Sequence, residues 1–264
     1  MKMDSLNIAT FNIWGSIFAK GNFKKRAGEI CQYFNNSETD IIHFQEIFTY
    51  PKLKFFQRHL PNFPYCAYKK SLLGPRGGLV TFSKIPVVET LYMEFDQKLI
   101  QGNLNPGIAV TGKGALKVSP NDTSLTLINT HFSPTYVSPS YNTNPKNKDK
   151  YDKLTKSQLH QLYGLIEKES IKGRSVIVTG DFNLAKDTEI YQSFLGQGLV
   201  DIFAGYSSPT YHQKYAPKGK TACRIDYIFI KTSKKFTIIN TDQLFTDNPL
   251  SDHIGLKAKI KLEI

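Results

Sequence analysis

The chain alternates between short, continuous apolar runs and longer stretches in which apolar residues recur every three or four positions. Runs of the first kind predict buried strands, and stretches of the second kind predict amphipathic helices. The predicted strands are 6–13, 40–44, 77–84, 87–91, 107–110, 115–118, 125–129, 175–178, 225–230, 236–239 and 254–262. The predicted helices are 23–34, 51–60, 154–168 and 188–195. Strands and helices interleave along the chain, so the pattern predicts an α/β fold.

Two connections between these elements can be predicted. The helix at 154–168 stands between the strands at 125–129 and 175–178. A strand, a helix and a strand in this order predict two parallel neighbours joined by a right-handed crossover. The runs 77–84 and 87–91 are separated by a short link that contains proline. This second arrangement predicts a hairpin-like pair in one sheet.

Two polar segments are predicted to be loops. The segment 96–107 is rich in Gly, Asn and Gln, and the segment 133–153 combines proline, tyrosine and lysine. Loops longer than about 15 residues are usually functional or disordered. We therefore consider 133–153 either an inert basic insertion, or a lid or a contact with an anionic surface.

Length and composition indicate one large core. The 264 residues are 40% hydrophobic and 12% aromatic, and a chain of this size can bury about three quarters of its unfolded surface. We expect a single catalytic domain over 1–264, acting as a monomer. Three widely spaced cysteines are too few for a disulfide framework or a zinc site, which favours reducing surroundings.

The charge balance suits an anionic partner. The chain has 34 basic and 22 acidic residues, a net charge of +12, which fits nucleic acid, an acidic membrane face, or a basic protein with neither partner. The start of the chain resembles no signal peptide, and no apolar run reaches the length of about 18 residues that spans a membrane. We expect a soluble cytoplasmic protein without a transmembrane anchor, membrane-peripheral at most. Export by machinery that leaves no N-terminal trace is also compatible with the sequence.

The segment TGDFN at 179–183 follows the apolar run at 175–178. Gly180 interrupts the strand, so that Asp181 and Asn183 emerge at its carboxyl end, where open α/β sheets place their chemistry. The side-chain period of two lets both residues face one way while Phe182 turns into the core. The same letters also occur as a plain turn.

Other polar residues stand at or beside predicted strand ends in the same way. With the pair at TGDFN they form one set: Asn12, Glu46, His131, Asp181, Asn183, Asp226, Asp252 and His253. A carboxylate is a ligand for Mg2+, a histidine beside a carboxylate is a general base, and amides can hold a phosphate oxygen or a water. Each residue alone could be a solvated strand end or a structural hydrogen-bond partner. Together they favour metal-assisted attack of water on a phosphodiester.

Six motifs occur in an order that resembles the endonuclease/exonuclease/phosphatase superfamily, which has the DNase I-like fold. They are TFNIW at 10–14, QEI at 45–47, NTHF at 129–132, TGDFN at 179–183, RIDYIF at 224–229 and LSDH at 250–253. Within the superfamily the chain is most similar to the neutral sphingomyelinases, through GLVTFSKIPV at 78–87, RIDY and LSDH. The resemblance implies a four-layer α/β sandwich, in which helices flank two central mixed β-sheets.

The resemblance also implies a metal site. Glu46 would be the principal Mg2+ ligand, with Asn12 and Asp252 in support, and Mn2+ could substitute for Mg2+. The metal is expected to act together with phosphate oxygens of the substrate, because Mg2+ uses few protein carboxylates and keeps most of its waters.

The catalytic roles come from the same resemblance. His253 would be the general base that activates water, and Asp226 would orient its ring. Asp181 and Asn183 would position the water and the phosphate. His131 would stabilise the phosphoryl oxygens or assist the leaving group.

The sequence thus predicts a Mg2+-dependent phosphodiesterase, most similar to enzymes that convert sphingomyelin to ceramide and phosphocholine. Its partner would be a phospholipid at a membrane surface, contacted through 133–153 or 96–107. The alternative is a DNase I-like endonuclease that acts on DNA or RNA, because a fold does not determine a substrate. A binding protein that kept the fold without turnover is the third possibility.

Overall fold

A computed structural model of the protein describes residues 5–16, 19, 21–96, 112–121, 124–134, 148–216, 218–219 and 221–262. The strand predicted at 107–110 and most of the two predicted loops lie outside the described residues. The helices are α1 (Phe23–Asn35), α2 (Tyr50–His59), α3 (Lys148–Ser170) and α4 (Glu189–Leu195). The strands are β1 (Leu6–Asn12), β2 (Ile41–Gln45), β3 (Tyr65–Ala67), β4 (Val80–Ser83), β5 (Val87–Glu94), β6 (Gly114–Pro120), β7 (Leu125–His131), β8 (Ser175–Asp181), β9 (Val200–Asp201), β10 (Asp226–Lys231), β11 (Phe236–Leu244) and β12 (Gly255–Leu262).

The strands form two mixed sheets of six strands each. The first has the order β11-β12-β1-β2-β4-β3, and the second has the order β5-β6-β7-β8-β10-β9. In the first sheet β1 and β2 are parallel, and in the second β7 and β8 are parallel. Helix α3 joins β7 to β8, which confirms the predicted crossover between parallel neighbours.

Three apolar layers hold the sheets and helices together. Ile30 and Phe34 of α1 and Phe56 of α2 pack with Phe44 of β2 on one side of the first sheet. On the second sheet, α3 and α4 pack in the same way around residues such as Phe182. The layer between the sheets contains residues from both, with strands β1, β7, β8, β10 and β12 all contributing. The expected four-layer α/β sandwich is confirmed.

The positions that face the layer between the sheets change from apolar to polar along each central strand. In β1, Leu6 and Ile8 belong to the apolar layer, and the next residues of the same parity are Thr10 and Asn12. Strand β8 follows the same rule, because Ile177 precedes Thr179 and Asp181, and so do β2 and β7. Since successive side chains alternate between faces, this pattern gathers polar side chains at one edge of the molecule.

The predicted hairpin between 77–84 and 87–91 is wrong. Strand β4 belongs to the first sheet, where β2 and β3 already occupy both of its edges. Strand β5 therefore has no free edge to pair with there, and it pairs with β6 at the border of the second sheet. The short link through Pro86 carries the chain from one sheet to the other.

Other boundaries differ from the prediction. Helix α3 begins at Lys148, so the lysines assigned to the end of the 133–153 loop lie in a helix instead. Its first turns lack the apolar stripe on which the prediction depended, although Tyr151 is buried there, as Leu154 is one turn later. The short strands β3 and β9 were not predicted. No helix in the described part of the chain is long and apolar enough to cross a membrane.

Candidate active site

Asp181, the last residue of β8, is the centre of the polar edge. Its Oδ2 accepts a hydrogen bond from Asn12 Nδ2 at 3.0 Å and lies 3.3 Å from His131 Nε2 and 3.6 Å from His253 Nε2. Its Oδ1 accepts from the backbone N–H of Asn183 at 2.8 Å. Four predicted residues from four separate motifs therefore surround one buried carboxylate.

Gly180 makes this arrangement possible. Its φ is +144°, and a Cβ at this position would lie 1.9 Å from the carbonyl oxygen of Thr130 on β7. Only glycine therefore lets β7 and β8 approach closely enough to pair His131 with Asp181 in the register of the two strands. The sequence indicated Gly180 as the residue that interrupts the strand. In the structure it is a point at which β7 and β8 pack closely, backbone against backbone.

The charges around Asp181 favour its ionised form. Burial alone favours the neutral acid, but the nearby His253, His131 and Lys113 together hold the pKa of Asp181 well below its ordinary value. A carboxylate that stays ionised here can accept hydrogen bonds from several donors at once. Asp181 is thus suited to positioning polar groups and unsuited to donating a proton.

His253 and Asp226 form a buried pair. His253 Nδ1 lies 2.9 Å from Asp226 Oδ2, and the edge of the Tyr211 ring packs against the imidazole with a centroid separation of 5.5 Å. Burial raises the pKa of Asp226 to about 6, against the effect of His253. Burial also opposes the imidazolium, but Asp226 and Asp181 outweigh it and hold the pKa of His253 well above its ordinary value.

Thr210 holds Asp226 in place, a role that no sequence pattern indicated. Its Oγ1 accepts hydrogen bonds from the backbone N–H groups of Ile225 and Asp226, both at 2.9 Å, and its hydroxyl lowers the pKa of the Asp226 carboxyl. The carbonyl of Thr210 accepts from the N–H of Ile254, beside His253. Thr210 thus supports both members of the pair.

Lys113 is the charged residue of the site that the sequence did not reveal. It is buried, and its Nζ lies 2.7 Å from His131 Nε2. Burial lowers the pKa of Lys113 to about 8, although Glu46 and Asp181 act in the opposite direction. The position follows from the pairing of Gly114 with His131 between β6 and β7, and this register cannot be read from the sequence.

His131 is held between Lys113 and Asp181. Burial and Lys113 lower the pKa of His131, against the effect of Asp181. Its Nδ1 is buried and has no hydrogen-bond partner within the described residues. Nε2 of His131 therefore lies between the Lys113 ammonium and the Asp181 carboxylate.

Glu46 follows β2 and stands in the left-handed region, with a φ of +70°. Its Oε2 accepts from the backbone N–H of Ser16 at 3.3 Å. Gly15 allows this approach, because a Cβ there would lie 1.9 Å from the Glu46 carbonyl oxygen. The carboxylate is only half-buried, so that it stays open to a ligand.

The carboxylates near Glu46 fit a cation. Burial raises the pKa of Asp252 to about 6, and repulsion from Glu46 and Asp181 adds to this increase. Repulsion among oxygen ligands is the electrostatic situation that a bound Mg2+ relieves. Asn12 accepts from the N–H of Trp14 at 3.0 Å through Oδ1, and a carbonyl oxygen has a second lone pair for a ligand.

A second group could also hold a metal. One ligand atom each from Asp181, Asp226 and His253 lies within 4.8 Å of the others. In this group, however, Nδ1 of His253 is already hydrogen-bonded to Asp226, and Nε2 faces Asn12 at 3.4 Å and Asp181. A cation would have to displace these contacts, whereas the Glu46 carboxylate is accessible.

Asn183 occupies the site in a different way from Asp181. It stands in the left-handed region with a φ of +47°, and its Nδ2 donates to the carbonyl oxygen of Phe132 at 3.0 Å. Its backbone N–H, not its side chain, contacts Asp181. Phe182 is fully buried in the layer under α3 and α4, as the alternation of side chains predicts.

Residues 9–253 match the model of the Endonuclease/Exonuclease/phosphatase family. A Drosophila melanogaster protein, provisionally named a neutral sphingomyelinase, is 23% identical over 99% of this chain and 62% of its own length. The inositol phosphosphingolipids phospholipase C of Schizosaccharomyces pombe is 24% identical over 76% of this chain and 46% of its own length. The chain thus spans less than two thirds of each relative.

Solved structures share the fold. A Staphylococcus aureus beta toxin variant with bound magnesium ions superposes with a TM-score of 0.71 at 18% identity, covering 96% of this chain and 99% of the toxin. The D. rerio TDP2 protein, complexed with a single-strand DNA product, gives a TM-score of 0.68 at 16% identity, covering 98% of this chain and all of the other. The same architecture therefore occurs in proteins with different ligands.

Proposed function

The chain belongs to the endonuclease/exonuclease/phosphatase family, as its motifs indicated, and from this membership we propose that it is a Mg2+-dependent phosphodiesterase that hydrolyses sphingomyelin to ceramide and phosphocholine. The observation that carries the proposal is the buried His253–Asp226 pair, which contacts Asp181, a carboxylate that Lys113 also influences. This arrangement supplies a base and a set of cationic and polar groups for one phosphodiester.

His253 is the general base. Asp226 fixes the ring through Nδ1, so that Nε2 points toward Asp181 and Asn12. In its neutral form the ring would take a proton from a water through Nε2 as the water oxygen attacks phosphorus and the bond from phosphorus to the ceramide oxygen breaks. Asp226 and Asp181, which raise the pKa of His253, make the neutral ring a strong base and stabilise the imidazolium that forms. Such a base typically contributes about 10²- to 10⁴-fold to the rate.

Asp181, through its contact with Asn12, orients the water, and Asn183 holds the turn that fixes Asp181. His131 lies beside Asp181 and contacts Lys113, and these two residues would stabilise the negative charge that develops on the phosphoryl oxygens. Fixed donors in a site shielded from water are the groups that stabilise such a transition state most effectively.

Glu46, Asn12 and Asp252 would hold Mg2+, with Mn2+ as a substitute. A bound divalent cation would polarise the phosphoryl oxygens and neutralise part of the charge that develops on them. Magnesium in the beta toxin variant supports this choice of cation. The half-buried Glu46 and the mutually repelling carboxylates near it support this choice of ligands.

Sphingomyelin is the first choice of substrate because both curated relatives are named for activity on sphingolipids. A nuclease is the second candidate, supported by the net charge of +12 and by the DNA product bound to TDP2. Phosphate contacts dominate affinity for nucleic acid, so a basic protein is suited to binding DNA.

Parallel assays separate the two candidates. The purified protein is incubated with Mg2+ on sphingomyelin vesicles and on supercoiled plasmid DNA, with the His253→Ala variant as the matched control. We expect phosphocholine release by the wild type alone and no nicking of DNA. Nicking without phosphocholine release would replace the first candidate with the second.

A further inference from the structure

A turn close to Glu46 presents two leucines to solvent. Leu72 and Leu73 stand side by side with 93% and 68% of their surface exposed. Scattered exposed apolar residues are common on protein surfaces, but adjacent leucines at the tip of one turn form a small apolar projection. We call residues 69–75 the leucine turn.

Hydrogen bonds close the leucine turn. Within it, the N–H of Ser71 donates to the carbonyl oxygen of Gly74 at 3.0 Å, the Ser71 hydroxyl donates to the same oxygen at 2.7 Å, and Lys70 and Pro75 form an isolated bridge. The leucines therefore lie at the tip of a hydrogen-bonded turn.

The turn is anchored beside the candidate metal site. The N–H of Tyr50 donates to the carbonyl oxygen of Leu73 at 3.2 Å, and the Tyr50 hydroxyl donates to that of Ser71 at 2.7 Å. Gly74 lies so close to Phe48 that a Cβ would meet its carbonyl oxygen at 2.4 Å. Phe48 follows Glu46 by two residues, so the turn and the site share one edge of the first sheet.

All of the lysine, arginine, aspartate and glutamate positions in the chain around the turn are basic. Between Glu46 and Glu89, residues 47–88 contain seven lysines and arginines and no aspartate or glutamate; the basic residues are Lys52, Lys54, Arg58, Lys69, Lys70, Arg76 and Lys84. Lys69 and Lys70 are exposed next to the two leucines. Apolar side chains beside cations are typical of surfaces that enter the interface of an anionic membrane.

We propose that the leucine turn docks the protein on a phospholipid bilayer, with Leu72 and Leu73 entering the headgroup region and Lys69 and Lys70 contacting lipid phosphates. Phosphate contact alone would also suit a nucleic acid, but exposed leucines gain nothing from a phosphate backbone. The proposal deepens the proposed function, on which it rests, because it places the docking surface and the site at the same edge.

The test is sedimentation with vesicles of phosphatidylcholine, sphingomyelin and phosphatidylserine in EDTA, which separates docking from hydrolysis. The Leu72→Asp/Leu73→Asp double variant should bind at least about tenfold more weakly than the wild type. The matched control is Ile171→Asp. Ile171 is 77% exposed but lies before β8, at the opposite end of that strand from Asp181, and its variant should bind like the wild type.

Thermal unfolding of all three proteins shows whether they are equally folded. Equal sedimentation of the double variant and the wild type would overturn the proposal, and so would a wild type that does not sediment. A double variant with equally weakened binding to DNA would also overturn it, because the turn would then serve a nucleic acid.

Hydrolysis of a short-chain sphingomyelin, dissolved below its aggregation threshold, distinguishes this failure from failure of the proposed function. The double variant should keep the wild-type kcat/KM on this soluble substrate and lose activity only on vesicles. If the wild type does not hydrolyse the soluble substrate, the proposed function is wrong, and the sedimentation result still decides for or against the turn.

Discussion

Removing Lys113 should stabilise the protein while it abolishes activity. The lysine is buried, and its pKa falls from the usual 10.5 to about 8. Because one pKa unit corresponds to about 1.4 kcal/mol, keeping this ammonium charged at pH 7 costs the fold on the order of 3 kcal/mol. Methionine has a similar shape and carries no charge. We therefore expect Lys113→Met to raise the free energy of unfolding by about 1–3 kcal/mol.

The pH dependence follows from the sign of the shift. Below about pH 8 Lys113 is protonated in both the folded and the unfolded state, and the full cost is present. Between about 8 and 10.5 the folded protein binds fewer protons than the unfolded chain, so the stability of the wild type rises with pH. The advantage of Lys113→Met should therefore be largest near pH 7 and shrink toward pH 10.

The assay is urea unfolding in EDTA at both pH values, together with kcat in Mg2+. Lys117→Met is the matched control. Lys117 lies on β6 and is buried like Lys113, but it pairs with the buried Glu169 at 3.1 Å. Its removal leaves that carboxylate with fewer partners and should destabilise the protein by about 1–3 kcal/mol. A Lys113→Met variant that is less stable than the wild type at pH 7, or that keeps its kcat, would refute the reasoning.

Three further predictions concern the other groups of the site. Asp226→Asn should lower kcat by about 10²- to 10⁴-fold with little change in KM, since the imidazolium loses its partner; a near-normal kcat would contradict the role of the pair. Thr210→Val should lower kcat by roughly tenfold. Thr210→Ser should keep a kcat close to that of the wild type, because serine keeps the hydroxyl that holds Asp226. Equal loss of kcat in both variants would indicate a packing role. EDTA should abolish activity. The Glu46→Gln variant should need a Mg2+ concentration more than about tenfold higher for its half-maximal rate. An unchanged Mg2+ dependence would exclude Glu46 as a ligand.

The sheets could be predicted from the sequence because the alternation of side chains between the two faces of a strand depends only on neighbouring residues. In β1 and β8, residues of one parity are apolar at first and polar at the end, and the structure shows that this face lies between the sheets. Asn12 and Asp181 could therefore be placed at strand ends from the sequence, whereas Asp226 opens β10 and reaches the same edge only through the antiparallel pairing of β10 with β8. The roles assigned to these residues stay predictions.

Contacts that depend on pairing were beyond the sequence. Lys113 reaches His131 only through the antiparallel register of β6 and β7, and no periodicity in the chain encodes that register. Thr210 reaches Asp226 across a segment without regular structure. The wrong hairpin has the same cause, since the two edges of β4 are taken by β2 and β3, and β3 was too short to be predicted.

The most direct test of the account is phosphocholine release from sphingomyelin in water labelled with heavy oxygen, measured with Mg2+ for the wild type and for His253→Ala. If His253 activates a water that attacks phosphorus, the wild type should place the label in phosphocholine, and the variant should release it at least about 10²-fold more slowly. Label in ceramide, or equal rates for the two proteins, would contradict the account.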